Sequence, residues 1–180
     1  DSSRTLYVAD NSNSRIVKWL SGASTGTVIA GTGTNGSSFT QLYNPRTVIA
    51  YGDNIYVADS GNYRVLRFAN GSLTGVNVPV SGLGEVFYVD FDQYGNLYTT
   101  DIGNNTIRRN NTVLLTGRSS LINRHVLIHT KIFIVLGLNG PQGTSVMPNG
   151  SLFITNTQQH TVLLWNPGKF WDIIINSDIL

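Results

Sequence analysis

The sequence predicts an all-β fold assembled from four-stranded repeat units, and three observations predict it. Four fourteen-residue segments align without a gap: LYVADNSNSRIVKW from Leu6, IYVADSGNYRVLRF from Ile55, LYTTDIGNNTIRRN from Leu97 and LFITNTQQHTVLLW from Leu152. Their starts are 49, 42 and 55 residues apart (55 − 6, 97 − 55 and 152 − 97), the length of one repeated supersecondary unit. Each segment opens on β-branched or aromatic residues, passes through Asn, Ser, Gly or Gln, and shows none of the 3.6-residue spacing of an amphipathic helix.

The columns agree in detail. The first holds Leu6, Ile55, Leu97 and Leu152; the second holds Tyr7, Tyr56, Tyr98 and Phe153. The fifth holds Asp10, Asp59, Asp101 and Asn156, and the eleventh Ile16, Val65, Ile107 and Val162. An Asp or Asn at a strand end can bond the backbone two residues on, which pins the turn that follows. A second strand then leaves the turn, as at residues 64–68. Upstream of each pair lies another strand closing in a tight turn, expected at 47–54, 87–96 and 144–150. Downstream lies a fourth, expected at 27–31, 76–81 and 112–117. Four antiparallel strands in a unit of this length make a propeller blade.

An apolar residue, Tyr-Val-Ala-Asp, Ser-Gly-Asn and then Arg-Val/Ile, plainest at Ile55 to Phe68, resembles the NHL repeat. The resemblance covers residues 1–117 and 141–167, and weakens in the last unit, where Asn156 replaces Asp and Thr161 replaces Arg. The expected organisation is a single partial propeller over 1–180. Blade one is 1–41 and lacks its first strand; blade two is 42–83 and blade three 84–117. An off-pattern insertion occupies 118–140, and blade four with an off-pattern tail occupies 141–180. The resemblance implies more blades than four, so the chain reads as an open piece that needs additional blades from its parent. The insertion and the tail read as a real extra strand and a closing strand, or as translated non-coding sequence.

Composition narrows the chemistry. Twelve Lys and Arg face ten Asp and Glu, for a net charge of +2, so the sequence pI of about 9.0 reflects a small surplus and not a phosphate-binding surface. With no cysteine, disulfides, thiolate nucleophiles and Cys-based zinc sites are excluded. The longest apolar run, Ile132 to Leu138, is far shorter than the ~20 residues of a membrane-spanning helix. The chain opens on Asp1 with no charged-then-apolar leader, which reads as a processed product or fragment. Sequons at Asn35, Asn70, Asn104, Asn110 and Asn149 lean slightly towards an extracellular setting over a cytoplasmic one.

Catalytic and metal motifs are weak. Gly31-Thr-Gly-Thr-Asn-Gly36 matches a dinucleotide fingerprint, but no helix follows to supply the free N–H groups a phosphate needs, so it reads as an inter-blade loop. Asp90-x-Asp92-x-x-Gly95 with Asp101 faintly resembles a calcium loop, yet Tyr94 occupies a ligand position, and an ordinary turn is expected. His125 and His129 have the spacing of a zinc pair but no nearby Glu or third ligand. No catalytic residue, metal site or cofactor is assigned. Some propellers similar to the NHL type are zinc-dependent lyases, which leaves a metal-dependent hydrolase or lyase as the alternative. RNA binding, known for NHL domains, is the second alternative. Nucleic acid is disfavoured because eight Lys/Arg balance eight Asp/Glu over residues 1–113.

Topology says where a partner would sit. In a four-stranded meander, the loops between second and third strands emerge at the same end as the connections between units. That end gathers Asn13, Asn62, Tyr63, Asn104, Asn105, Gln159 and His160. Asp10, Asp59, Asp101, Arg15 and Arg64 are expected to hold the repeat itself. Varied polar and aromatic tips on a rigid scaffold predict a non-enzymatic module that binds a protein or glycan through this loop face.

Overall fold

The computed structural model describes residues 4–110, 112–116, 138–166 and 173–176. Regular structure among them is β apart from short 3-10 turns. The chain divides into two compact units, Asp1–Val89 and Asp90–Leu180.

The first unit holds two sheets. The first sheet has β1 (Leu6–Asp10), β2 (Arg15–Trp19) and β3 (Thr27–Ala30) in the order β1-β2-β3. The second has β4 (Pro45–Tyr51), β5 (Asn54–Asp59), β6 (Arg64–Ala69) and β7 (Val76–Asn77), again in sequence order. Neighbours pair antiparallel, with Val57 opposite Leu66 and Val8 opposite Val17. β7 is shorter than its expected span of 76–81 because Pro79 has no N–H to give the ladder; Val78 N–H still reaches the Val65 carbonyl at 2.9 Å.

A third sheet runs β11-β10-β9-β8, from β8 (Val86–Phe91), β9 (Leu97–Asp101), β10 (Thr106–Arg109) and β11 (Thr112–Thr116). The fourth runs β12-β13-β14-β15, from β12 (Pro141–Val146), β13 (Leu152–Asn156), β14 (Thr161–Trp165) and β15 (Ile173–Asn176). β12 begins three residues before the expected Thr144, because Pro141 heads the strand as Pro45 heads β4. A proline is tolerated at a strand's first residue, and in both strands a bulge follows it directly. The expected insertion at 118–140 lies outside the described residues up to 137, as does most of the tail.

The repeat columns become intelligible as two faces. Alternate residues of a strand lie on opposite sides of its sheet. In the first unit Tyr7, Ala9 and Ile16, from columns two, four and eleven, pack with Ile55, Val57, Leu66 and Phe68, from columns one, three, twelve and fourteen of the next repeat. In the second unit Tyr98 and Ile107 pack with Leu152, Ile154, Leu163 and Trp165, which are the same columns. Within each unit the trailing face of one repeat (columns two, four and eleven) thus covers the leading face of the next. Each large apolar side chain buried there contributes about 1.5–3 kcal/mol.

Candidate functional site

The loop face is built around the fifth column. Asp59, at the end of β5, is fully buried and gathers donors from three residues. Its Oδ1 accepts the Tyr43 N–H at 2.7 Å. Its Oδ2 accepts the Asn62 amide at 2.8 Å and the Arg64 Nε–H at 2.7 Å. Between them Ser60–Asn62 form one 3-10 turn, closed by Tyr63 in the left-handed region at φ 55°. Arg64 continues outward: its terminal nitrogens donate to the carbonyls of Ser37, Ser38 and Gln41 at 2.7, 2.9 and 3.2 Å. The Asn62 amide also reaches the Gly36 carbonyl at 2.9 Å. The glycine-rich connection is therefore clamped onto the second sheet by its Asp–Asn–Arg set.

The same set recurs in the first sheet at Asp10, Asn13 and Arg15, with bonds of 2.8 Å from each donor. The hydrogen bonds from Arg15 and Asn13 hold the Asp10 carboxyl below the ordinary carboxylate range. In the third sheet the Asn104 amide bonds Asp101 at 2.7 Å. In the fourth, Asn156 Oδ1 accepts the Asn139 N–H at 2.7 Å, the bond that Asp59 makes to Tyr43. Thr161 stands in the arginine column there, so a neutral acceptor serves where no cation needs neutralising. The third sheet has a threonine, Thr106, in that column too and keeps the buried Asp101, so losing the arginine does not by itself require the change to Asn.

These bonds sort the residues expected on the loop face. The amides of Asn13, Asn62 and Asn104 are engaged with the fifth column. Asn105 Oδ1 accepts the Gly140 N–H at 2.9 Å, and Ser14, in the same ninth column, is buried with its hydroxyl on Asn35. Tyr63 is 61% exposed, and His160 is also exposed. The Gln159 side chain lies outside the described residues. All four ninth-column residues adopt the left-handed conformation, with φ between 49° and 55°. That backbone favours Gly, or Asn, Asp and His among the rest, so Tyr63 is not there to ease the turn.

Sequence reasoning missed two neighbours of Tyr63. Phe39 is 50% exposed and Tyr43 46%. The Arg64 guanidinium carbon lies 5.6 Å from the Phe39 ring centroid. Gly61 lies under the Tyr43 ring, where an added Cβ would come within 2.6 Å of it. Phe39, Tyr43 and Tyr63 thus surround one braced turn. The signal lay in aromatic residues inside a connection otherwise made of Gly, Ser, Thr and Asn with Gln41 and Leu42.

Two other features bear on the motifs. Gly31 has φ +80° and approaches the Ser14 and Arg15 backbone so closely that any side chain would collide with it. The first glycine of the fingerprint-like run thus serves loop packing. In the Asp90–Gly95 turn, Asp92 accepts the N–H groups of Tyr94 and Asn96 at 2.9 and 2.8 Å and the Asn96 amide at 2.7 Å. Its oxygens hold that turn. At the other end of the first two sheets is a cleft of about 590 Å³, lined by Tyr7, Lys18, Phe68 and Leu73 among others.

Neither a protein-family model nor a curated protein sequence matches the chain. Solved structures do match. A nidogen/laminin complex structure aligns with a TM-score of 0.69 at 17% identity, over 96% of this chain and 59% of that one. A streptogramin B lyase structure aligns at 0.59 and 12%, over 98% and 52%. The virginiamycin B lyase of Staphylococcus aureus aligns at 0.57 and 12%, over 96% and 52%. These are β-propeller proteins, and the likeness establishes the propeller fold. The chain spans between 52% and 59% of their lengths.

Proposed function

We propose that the chain is an NHL-type propeller scaffold, not an enzyme, and that it binds a protein partner through the loop face. The observation that carries this reading is Tyr63. A large aromatic side chain stands 61% exposed on a left-handed residue, where it costs backbone energy and brings little packing in return. The turn beneath it is fixed by a buried ion pair, and Phe39 and Tyr43 flank it. Rigid exposed aromatics beside an arginine are the composition of binding hot spots. The nidogen/laminin neighbour is a protein complex, which supports a protein partner over a small substrate. His160 is the corresponding exposed position on the equivalent turn of the fourth sheet.

The test immobilises the chain and screens extracellular proteins, a glycan array and single-stranded RNA, each against wild type, Tyr63→Ser and Leu73→Ser. Leu73 is exposed at the opposite cleft. The expected result is a protein ligand whose affinity falls at least ~10-fold in Tyr63→Ser and holds in Leu73→Ser. Binding that is lost only in Leu73→Ser moves the site to the cleft. The lyase neighbours make turnover the second reading, and chelator-sensitive cleavage of a streptogramin by the chain would establish it instead.

A further inference from the structure

We propose that Asn70 is a site of spontaneous covalent modification, at which its side-chain amide is lost and the residue becomes aspartate or isoaspartate. The Gly71 backbone nitrogen attacks Asn70 Cγ. A bond forms between them, the Cγ–Nδ2 bond breaks, and ammonia leaves carrying the proton that Gly71 gave up. The resulting succinimide ring then takes up water at either of its carbonyls. The ring C–N bond breaks there, the hydroxyl stays on the carbonyl carbon as a carboxyl group, and the proton returns to nitrogen. Water is the only co-reactant.

Glycine is the residue that best allows the attack, since no Cβ shields its nitrogen. The chain has four Asn-Gly pairs, at 35–36, 70–71, 139–140 and 149–150, and the fold treats them differently. The Gly36 N–H is held by the Leu42 carbonyl at 3.2 Å, and Asn35 Oδ1 by the Ser14 hydroxyl. The Gly140 N–H donates to Asn105 Oδ1 at 2.9 Å, and Asn139 beside it is fixed by its own N–H on Asn156 Oδ1 at 2.7 Å. The Gly150 N–H donates to the Met147 carbonyl at 2.8 Å, and Asn149 Oδ1 accepts the Ser151 N–H at 3.0 Å. At these three pairs the nucleophile must break a hydrogen bond before it can lose its proton. At 70–71 neither the Gly71 N–H nor the Asn70 side chain has a hydrogen-bond partner among the described residues. Both residues are exposed, and nothing lies within 4 Å of where a Gly71 Cβ would stand.

The product matters to its surroundings. The turn between β6 and β7 is closed by the Ser72 N–H on the Ala69 carbonyl at 2.9 Å, and that bond spans the reacting pair. Isoaspartate lengthens the backbone inside it. Aspartate leaves the backbone intact and adds a carboxylate to the wall of the cleft that Lys18 also lines.

Peptide-mapping mass spectrometry tests this on the wild-type chain, held in warm, mildly alkaline buffer and, in parallel, in concentrated urea. One digest reads all four pairs. In buffer, Asn70 is expected to convert at least ~5-fold faster than Asn35, Asn139 or Asn149. In urea, where no pair is held, the rates converge. Asn70→Gln, whose longer side chain cannot close the succinimide ring, removes the acidic species that forms first on ion exchange. Any other pair converting as fast as Asn70 in buffer overturns the proposal, as does an Asn70 that converts in urea but not in buffer. A preference for Asn70 that persists undiminished in urea belongs to the local sequence and overturns the structural argument equally.

Discussion

The Arg64 guanidinium sits 2.7 Å from the Asp59 carboxylate, which is itself fully buried. From that anchor it reaches three carbonyls of the connection between the first and second sheets. One ion pair therefore joins a strand end, a turn and an inter-sheet loop. The equivalent Arg15–Asp10 pair is as short, at 2.8 Å, but its carboxylate is 24% exposed. Position in the fold, not bond length, separates the two.

Asp59→Ala is accordingly expected to cost about 3–5 kcal/mol, because it leaves a desolvated guanidinium and two orphaned donors. Asp10→Ala is expected to cost far less, since its carboxylate is partly exposed and water can replace the lost bonds. Urea unfolding of both variants checks the contrast. Equal losses would mean that burial is not what gives the Asp59 pair its weight.

Tyr63→Gly is expected to stabilise the chain by about 1 kcal/mol, by relieving a left-handed residue whose side chain is mostly in solvent. The same change removes the proposed binding contact. Thermal unfolding and partner binding should therefore move in opposite directions. A fall in stability would show that the Tyr63 ring supports the fold, and would undercut its assignment to the binding surface.

Two glycines with nearly the same backbone separate strain from collision. Gly71 has φ +79° and open space where a methyl group would stand, so Gly71→Ala should cost about 1 kcal/mol from conformation alone. Gly31 has φ +80°, and an added Cβ would stand 2.8 Å from the Arg15 Cα and against the Ser14 carbonyl. Backbone atoms cannot swing aside, so Gly31→Ala should cost about 1–3 kcal/mol more. Chemical denaturation of the pair measures the difference. Equal costs would mean the loop can move away.

Much of this was legible in the sequence, for a physical reason. Columns one, two, three and eleven are constrained twice, by strand alternation within a sheet and by packing between sheets, so they repeat visibly. The fifth-column Asp announced a turn. Its reach to Tyr43 and the clamp of Arg64 on Ser37, Ser38 and Gln41 were hidden, because those partners are backbone groups that any residue can supply. The bulged strand start at Pro141 was missed because its first residues, Pro-Gln-Gly, have no strand propensity, and pairing with Asn156 decides them. Phe39 and Tyr43 went unread because loop residues follow no period.

The Asp90–Gly95 turn sets two carboxylates against each other in their response to pH. Burial alone would raise the Asp92 carboxyl, but hydrogen bonds from the Asn96 side chain and backbone, the Tyr94 backbone and the Tyr98 hydroxyl outweigh it and hold it below the ordinary 3.8. Its folded pKa then lies under its unfolded one. The stability it contributes is present above about 3.8 and is lost as pH falls through the lower folded value. Asp90 is raised, mainly by burial, despite bonds from the Phe91 and Val146 backbones. Its contribution runs the other way: full below about 3.8, and lost as pH rises through the higher folded value. Asp92→Asn is therefore expected to destabilise the chain at neutral pH and to flatten the loss of stability in acid. Asp90→Asn should remove the decline just above about pH 3.8 and leave a variant at least as stable as wild type at neutrality. Urea midpoints collected from roughly pH 3 to pH 7 on wild type and both variants test the signs. A wild-type acid slope that persists in Asp92→Asn would place the acid-sensitive carboxylate elsewhere in the chain.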